Sequence, residues 1–188
     1  QELSLQREEI KKQRLEVARS SDALDRANQI AFLQYENHVF DMVRTFLSPE
    51  MAPLRQKLWG VREQWKRDGD YRKRITSLFA RQIRDKWPDR EEYSTLQATP
   101  DFQDYAAITQ FMRFFDLLGQ YEFNRRTARS VSFFYYWWRD FVSEIADSLA
   151  KEWHECPAEE RHIQLPPTWT SITALLDRKI GEHVKNAG

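Results

Sequence analysis

The chain has 188 residues, enough for one domain with a substantial core, and its seven Trp, seven Tyr and twelve Phe supply the apolar surface to fill it. Five Gly are too few for a hairpin-rich β protein, and a single cysteine, Cys156, rules out an internal disulfide and makes a reducing compartment the default. Lys plus Arg and Asp plus Glu are each 29, so no global basic excess points to nucleic acid and no acidic excess to a solvating tail.

From Gln1 to about Arg26 there is no Gly or Pro, and Leu, Gln, Arg, Glu and Lys dominate, which predicts a charged helix. Leu3, Ile10, Val17 and Leu24, followed by Ala31, recur every seven residues and form one seam. Three positions further on lie Gln6, Gln13, Ser20, Ala27 and Gln34, mostly polar, whereas a strong coiled coil wants apolar residues at both places. This half-heptad pattern predicts a weak coiled coil, a helix that associates with itself or with a partner. From Asn28 to Leu47 the helix continues with a different character. Ile30, Leu33, Phe40, Val43 and Leu47 make an apolar face that Phe32, Tyr35, Val39, Met42 and Phe46 widen, so this part is expected to be buried. The change divides a charged linker helix, residues 1–28, from an aromatic-rich helical domain, residues 29–188.

Ser48-Pro49-Glu50 reads as a cap with Pro at the first helical position. A second helix to about Lys66 carries Leu54, Leu58, Val61 and Trp65; Asp68-Gly69-Asp70 makes a turn. A third carries Tyr71, Ile75, Leu78, Phe79, Ile83 and Trp87 until Pro88 stops it. Asp89 to Ala98 reads as a short polar connector with room for one helical turn. Thr99-Pro100-Asp101 starts a fourth helix that ends near Gly119. The fifth, from about Thr127 to Trp153, is the hydrophobic centre: Val131, Phe134, Tyr135, Trp138, Phe141, Val142, Ile145 and Leu149 hold helical spacing, and Phe133, Tyr136 and Trp137 cover the other side. Cys156-Pro157 ends it. After a loop with Pro166-Pro167, a final helix carries Trp169, Ile172, Leu176 and Ile180 on one face. Val131 to Trp138 could pass for a buried strand in isolation, but the helical period runs on for several turns beyond it. The fold class is therefore all-α: a long N-terminal helix, weakly coiled-coil, leading into a bundle of about five further helices.

The most apolar run, Val131 to Trp138, is far too short to span a membrane. A start at Gln1, inside a helical pattern, marks the chain as a fragment or processed product from which an upstream membrane segment could be missing.

Between Arg55 and Arg90 twelve cations face five acids. Arg62, Arg67, Arg72, Arg74, Arg81 and Arg84, with Trp59, Trp65, Tyr71 and Trp87 interleaved, are the candidate RNA-binding set, since Arg pairs with phosphate and aromatic rings stack on bases. The plainer reading puts those aromatics in the core and the cations on wet helix faces, and their spacing with Leu58 and Ile75 favours it. From Asp140 to Glu160 seven acids face only Lys151; acidic and basic helices of this kind steer contacts within a fold or between copies. His154, Cys156 and His162 are too few for a structural zinc site, which wants four N or S ligands. No metal or cofactor is expected, and no phosphate loop, nucleophile elbow or zincin motif occurs.

Arg178-Lys-Ile-Gly-Glu-His183 has the form of the Arg-x-x-x-x-His ribonuclease motif found in helical nucleotide-binding domains of prokaryotic defence systems, which makes Arg178 and His183 the candidate catalytic pair. On one continuous helix the two side chains diverge by roughly 140°, so a shared site requires a break at Gly181.

Leu5–Arg14 (LQREEIKKQR), Phe111–Gly119 (FMRFFDLLG) and the Tyr-Trp-Trp of 136–138 resemble a group of small bacterial proteins with an N-terminal transmembrane helix, a charged linker helix and a helical cytosolic domain. Some of that group are similar to phage-defence proteins such as the membrane accessory protein of type VI-B CRISPR systems, an oligomeric pore with a degenerate Arg-x-x-x-x-His motif near its C-terminus. Arg178 and His183 occupy the matching place, but this chain carries no membrane segment. The resemblance implies a defence role at the cytoplasmic face of the inner membrane; the chain as it stands reads as cytoplasmic. The leading expectation is a non-enzymatic assembly module, a homo-oligomer formed through Leu3, Ile10, Val17 and Leu24. The alternatives are an RNA-directed, ribonuclease-like protein and a soluble regulatory domain binding one protein partner.

Overall fold

The computed structural model describes residues 2–161 and 167–184. Those residues are all-α: seven α-helices and two short 3-10 turns, with no strand among them. Helix α1 spans Glu2–Leu47; a 3-10 turn, Pro49–Met51, leads into α2, Ala52–Arg67; α3 spans Gly69–Arg84, α4 Arg90–Gln97, α5 Pro100–Gln120 and α6 Arg125–Glu155; a second 3-10 turn, Ala158–Glu160, precedes α7, Pro167–Val184. The chain divides into two compact units, Gln1–His38 and Val39–Gly188.

In the first unit Val17, Leu24, Ile30, Phe32 and Leu33 are all exposed. Among the described side chains, the burial expected from Asn28 onward therefore begins at Val39, followed by Val43 and Phe46; the Tyr35 side chain lies outside them. A broad apolar face marks a helix that needs covering, but it does not say whether its own chain covers it.

The second unit is built around α6. Its inner face, from Val131 to Leu149, is buried, and α7 lies along it with Trp169, Ile172, Leu176 and Ile180. Helix α5 packs on α2, α3 and α7, and α3 also packs on α6. Phe111 is the hub of the core: fully buried, with ring centroids 4.9 Å from Phe115, 5.0 Å from Trp138 and 6.1 Å from both Phe46 and Phe141. A second aromatic group joins Trp87, Tyr93, Phe102 and Tyr105 at 5.4–6.2 Å.

That second group explains the largest departure from the sequence reading, a seventh helix where a connector was expected. Asp89 accepts hydrogen bonds from the amides of Glu91 and Glu92, both 3.0 Å, which starts α4; Tyr93 packed on Trp87 and Phe102 holds it. Only tertiary contact makes so short a helix stable. Helix α3 ends three residues earlier than expected because Asp85 takes the left-handed conformation, φ 49°, and closes the turn through Lys86 N to Arg81 O, 3.0 Å; Asp tolerates that region better than most residues.

The remaining boundaries follow local chemistry. Asp68 caps α3 through the amides of Asp70 and Tyr71, and Thr99 caps α5 through Phe102 N. Ser48 leads into a 3-10 turn before α2, and the Arg55 guanidinium donates to the carbonyl of Phe46, in the last turn of α1, and to that of Ser48, which also accepts from Met51 N. Gly119 does not terminate α5. It lets α7 approach: a Cβ there would stand 3.0 Å from Ile172 Cδ1 and 3.1 Å from Leu175 Cδ2.

Helix α6 starts with a reciprocal cap. The Asn124 side chain accepts from the amides of Arg126 and Thr127, both 2.8 Å, while Thr127 Oγ1 accepts from Asn124 N, 2.8 Å. Replacing Asn124 with Ala should lower stability by about 1 kcal/mol in urea unfolding. A loss below about 0.3 kcal/mol would show that packing alone sets this end of the helix.

Candidate interaction surface

Helical spacing places Arg126, Arg129, Phe133, Tyr136, Trp137, Asp140, Glu144 and Asp147 within an arc of roughly 100°, on one stripe of α6 opposite its buried face. Phe133 is 75% exposed, Tyr136 55% and Trp137 64%. Trp59 of α2, 46% exposed, stands edge-on to the buried Trp138, 5.8 Å between centroids, and adds a fourth wet aromatic. Together these three residues of α6 expose on the order of 400 Å² of mostly apolar surface, in the range where a patch is often functional.

The stripe is ordered by charge. Before the aromatics, Arg125, Arg126, Arg129 and Ser130 line a shallow cleft of about 500 Å³, where the positive end of the helix dipole adds to the guanidinium charge. The Arg126 guanidinium sits over the Phe40 ring at 5.1 Å. After the aromatics come Asp140, Glu144 and Asp147. Asp140 pairs with Arg139 at 3.6 Å. Among the described residues neither Arg129 nor Glu144 has an ion pair.

The stripe is held rigidly from behind. The Arg139 guanidinium grips both carboxylate oxygens of Asp177 on α7, at 2.9 and 2.6 Å, and the Tyr135 hydroxyl donates to the same carboxylate at 3.1 Å. Arg139 holds the Asp177 carboxyl below the usual carboxylate range, and burial beside that carboxylate pushes the Tyr135 hydroxyl up. Nearby, the buried Lys179 ammonium donates to Tyr121 O, 2.8 Å, and to Glu122, 3.1 Å, closing the turn between α5 and α6.

The candidate RNA-binding arginines are dispersed. The Arg62 guanidinium lies over Trp59 and Trp138 at 5.0 and 5.8 Å; Arg67 pairs with Glu63 at 3.1 Å, Arg74 with Asp101 at 2.8 Å, and Arg84 with Glu160 at 3.4 Å. Arg72 and Arg81 are exposed, and helical geometry puts them on opposite sides of α3. Of the interleaved aromatics, Trp65 and Tyr71 are buried and Trp87 is half-buried, packed against Tyr93, Phe102 and Tyr105. Part of the basic–acidic complementarity is used inside the chain, where Glu160 meets both Arg84 and Lys86.

Arg178 and His183 are not brought together. Helix α7 runs unbroken through Gly181 to Val184. Arg178 is exposed and lies 4.0 Å from Glu182, while His183 is half-buried a third of a turn or more away. His162 lies outside the described residues. Cys156 is buried and its thiol donates to Pro157 O at 3.6 Å; among the described residues no group of three or more His, Cys, Asp or Glu is placed to hold a metal ion.

Of the oligomerisation seam, Val17 and Leu24 are 69% and 61% exposed, and the side chains of Leu3 and Ile10 lie outside the described residues. Among the described residues no helix is long and apolar enough to cross a membrane. The α6 stripe escaped the sequence reading as a surface because its aromatics share helical spacing with the core; the signal was the line of Arg126, Arg129, Asp140, Glu144 and Asp147 on the same face. No protein-family model, curated protein or solved structure matches this chain.

Proposed function

We propose that this chain is a non-enzymatic helical assembly module whose work is to bring copies of itself together. One observation carries the proposal: Phe133, Tyr136 and Trp137 stand exposed on one face of the helix whose other face is the core. Three large rings kept in water by a rigid helix gain by being covered, and aromatic residues are what association surfaces are enriched in. The exposed Val17 and Leu24 of the first unit supply a second apolar seam, the one expected from the heptad spacing. The resemblance to membrane-anchored defence proteins extends the proposal: the module would be the cytosolic part of a membrane-associated oligomer that acts against phage.

Light scattering on the full chain, from about 1 to about 100 µM, tests this directly. A discrete oligomer is expected, and the double substitution Ile10→Lys, Val17→Lys should lower its mass. A monomer across the whole range would overturn self-assembly, and an oligomer whose mass ignores the double substitution would remove the seam from it.

A further inference from the structure

The order of residues along the outer stripe of α6 is basic, then aromatic, then acidic, and that order selects its own complement. Place a second copy of the helix against the first, antiparallel, with a two-fold axis between Tyr136 and Trp137. Tyr136 then faces Trp137 of the other copy. Arg129 lies as far before the axis as Glu144 lies after it, so the two meet, and symmetry makes the contact twice. Arg126 and Asp147 are likewise equidistant. A two-fold interface is isologous: one patch has to complement itself, and a stripe of one charge or of mixed order fails that condition.

We propose that two copies of this chain pair through the outer faces of α6, antiparallel, with Tyr136 and Trp137 at the centre and Arg129 of each copy meeting the partner's Glu144. The inference rests on the assembly reading above and names its contact.

Three observations carry it. The aromatic centre is exposed and the flanking charges run from basic to acidic along one face of a single helix. Neither Arg129 nor Glu144 has an ion pair among the described residues, so both charges are available at no loss of an internal contact. The arginine-lined cleft of about 500 Å³ at the amino end of α6 is positive through its side chains and the helix dipole, and the carboxylates of Glu144 and Asp147 on a partner are what it would receive. A parallel pair would set Arg129 against Arg129 and Glu144 against Glu144. An anionic membrane or a nucleic acid would be drawn to the arginines but repelled by Asp140, Glu144 and Asp147 on the same stripe. The antiparallel copy satisfies both ends.

The register makes a charge-exchange experiment decisive. Sedimentation velocity is run on the full chain carrying Ile10→Lys and Val17→Lys, which silences the N-terminal seam and leaves a dimer as the expected species. Arg129→Glu or Glu144→Arg, added singly, should each weaken that dimer roughly 10- to 100-fold, because every lost attraction becomes a repulsion and occurs twice. The two together should restore it. An equimolar mixture of the two single variants should also pair, since at positions 129 and 144 one copy then presents two acids and the other two bases. Circular dichroism on each variant separates lost pairing from lost folding. A dimer that ignores the single exchanges, or that the double exchange fails to restore, overturns the α6 pairing. If the parent chain still forms an oligomer in that case, the assembly reading survives through the N-terminal seam. Monomers in both the parent and the seam variant overturn the two together; binding of the monomer to vesicles of anionic lipid would then assign the stripe to a membrane surface.

Discussion

Replacing Phe111 with Ala should lower the stability of the fold by about 3–5 kcal/mol, the largest effect expected of any single truncation considered for this chain. Its ring is fully buried and touches the rings of Phe46, Phe115, Trp138 and Phe141, which come from α1, α5 and α6. Removing it deletes the transfer free energy of the ring and leaves a cavity whose walls belong to three helices and cannot close together. For a domain with a total stability of about 5–15 kcal/mol the loss is a large share, visible as a fall in melting temperature of roughly 6–20 °C. The control is the same substitution at Phe133. That ring is 75% exposed, so Phe133→Ala should change monomer stability by less than about 0.5 kcal/mol. Any further loss at Phe133 should grow with protein concentration, since a ring buried by association stabilises by mass action. Equal, concentration-independent losses at both positions would mean that Phe133 is buried within the monomer and that the outer face of α6 is not an exposed surface.

Asp177→Asn should cost about 1–2 kcal/mol at pH 7, and the cost should vanish in acid. The carboxylate takes a two-pronged contact from Arg139 and a hydrogen bond from Tyr135, tying α7 to α6. A hydrogen bond to a charged group contributes about 1.5–3 kcal/mol, and the figure is discounted here for solvent screening because the Asp177 and Arg139 side chains are 33% and 42% exposed. The pH dependence follows from the direction of the shift. Arg139, first among the causes, lowers the folded pKa of Asp177 below its unfolded value, so the native state favours the ionised form. Its contribution is complete above the unfolded value, about 3.9, and is lost as pH falls through the folded one. Urea unfolding of both proteins should therefore show a constant gap from pH 7 to about 5 that closes toward about pH 2. A gap of the same size at pH 2 would assign the loss to packing of the side chain and not to its charge.

The legibility of this chain differed by element. Helices α5 and α6 could be read because caps and spacing agree: Thr99-Pro100-Asp101 opens one, Cys156-Pro157 closes the other, and the inner face of α6 repeats at helical spacing from Val131 to Leu149. Helix α4 could not. Its eight residues hold only Tyr93 and Leu96 as large apolar groups, and its stability comes from Trp87 and Phe102, which the linear order does not place beside Tyr93. Asp85 carries the left-handed turn that ends α3, a role for which Gly is the usual signal.

The candidate sites divide in the same way. Sequence alone determined that the chain is all-α, where most helices begin and end, and that the cations of α2 and α3 share their helices with buried aromatics, because these depend on caps and on side-chain period within one helix. Only the tertiary structure decided which aromatic faces are covered. Phe134 and Phe133 are neighbours of the same chemistry, yet one is 4% exposed and the other 75%. The difference comes from where Phe46 of α1 and Phe114 and Phe115 of α5 lie, 5.8–6.1 Å from the Phe134 ring, a relation between elements that no local spacing encodes. The same holds for Arg178 and His183: their spacing is written in the sequence, and their divergence became definite once α7 continued unbroken through Gly181.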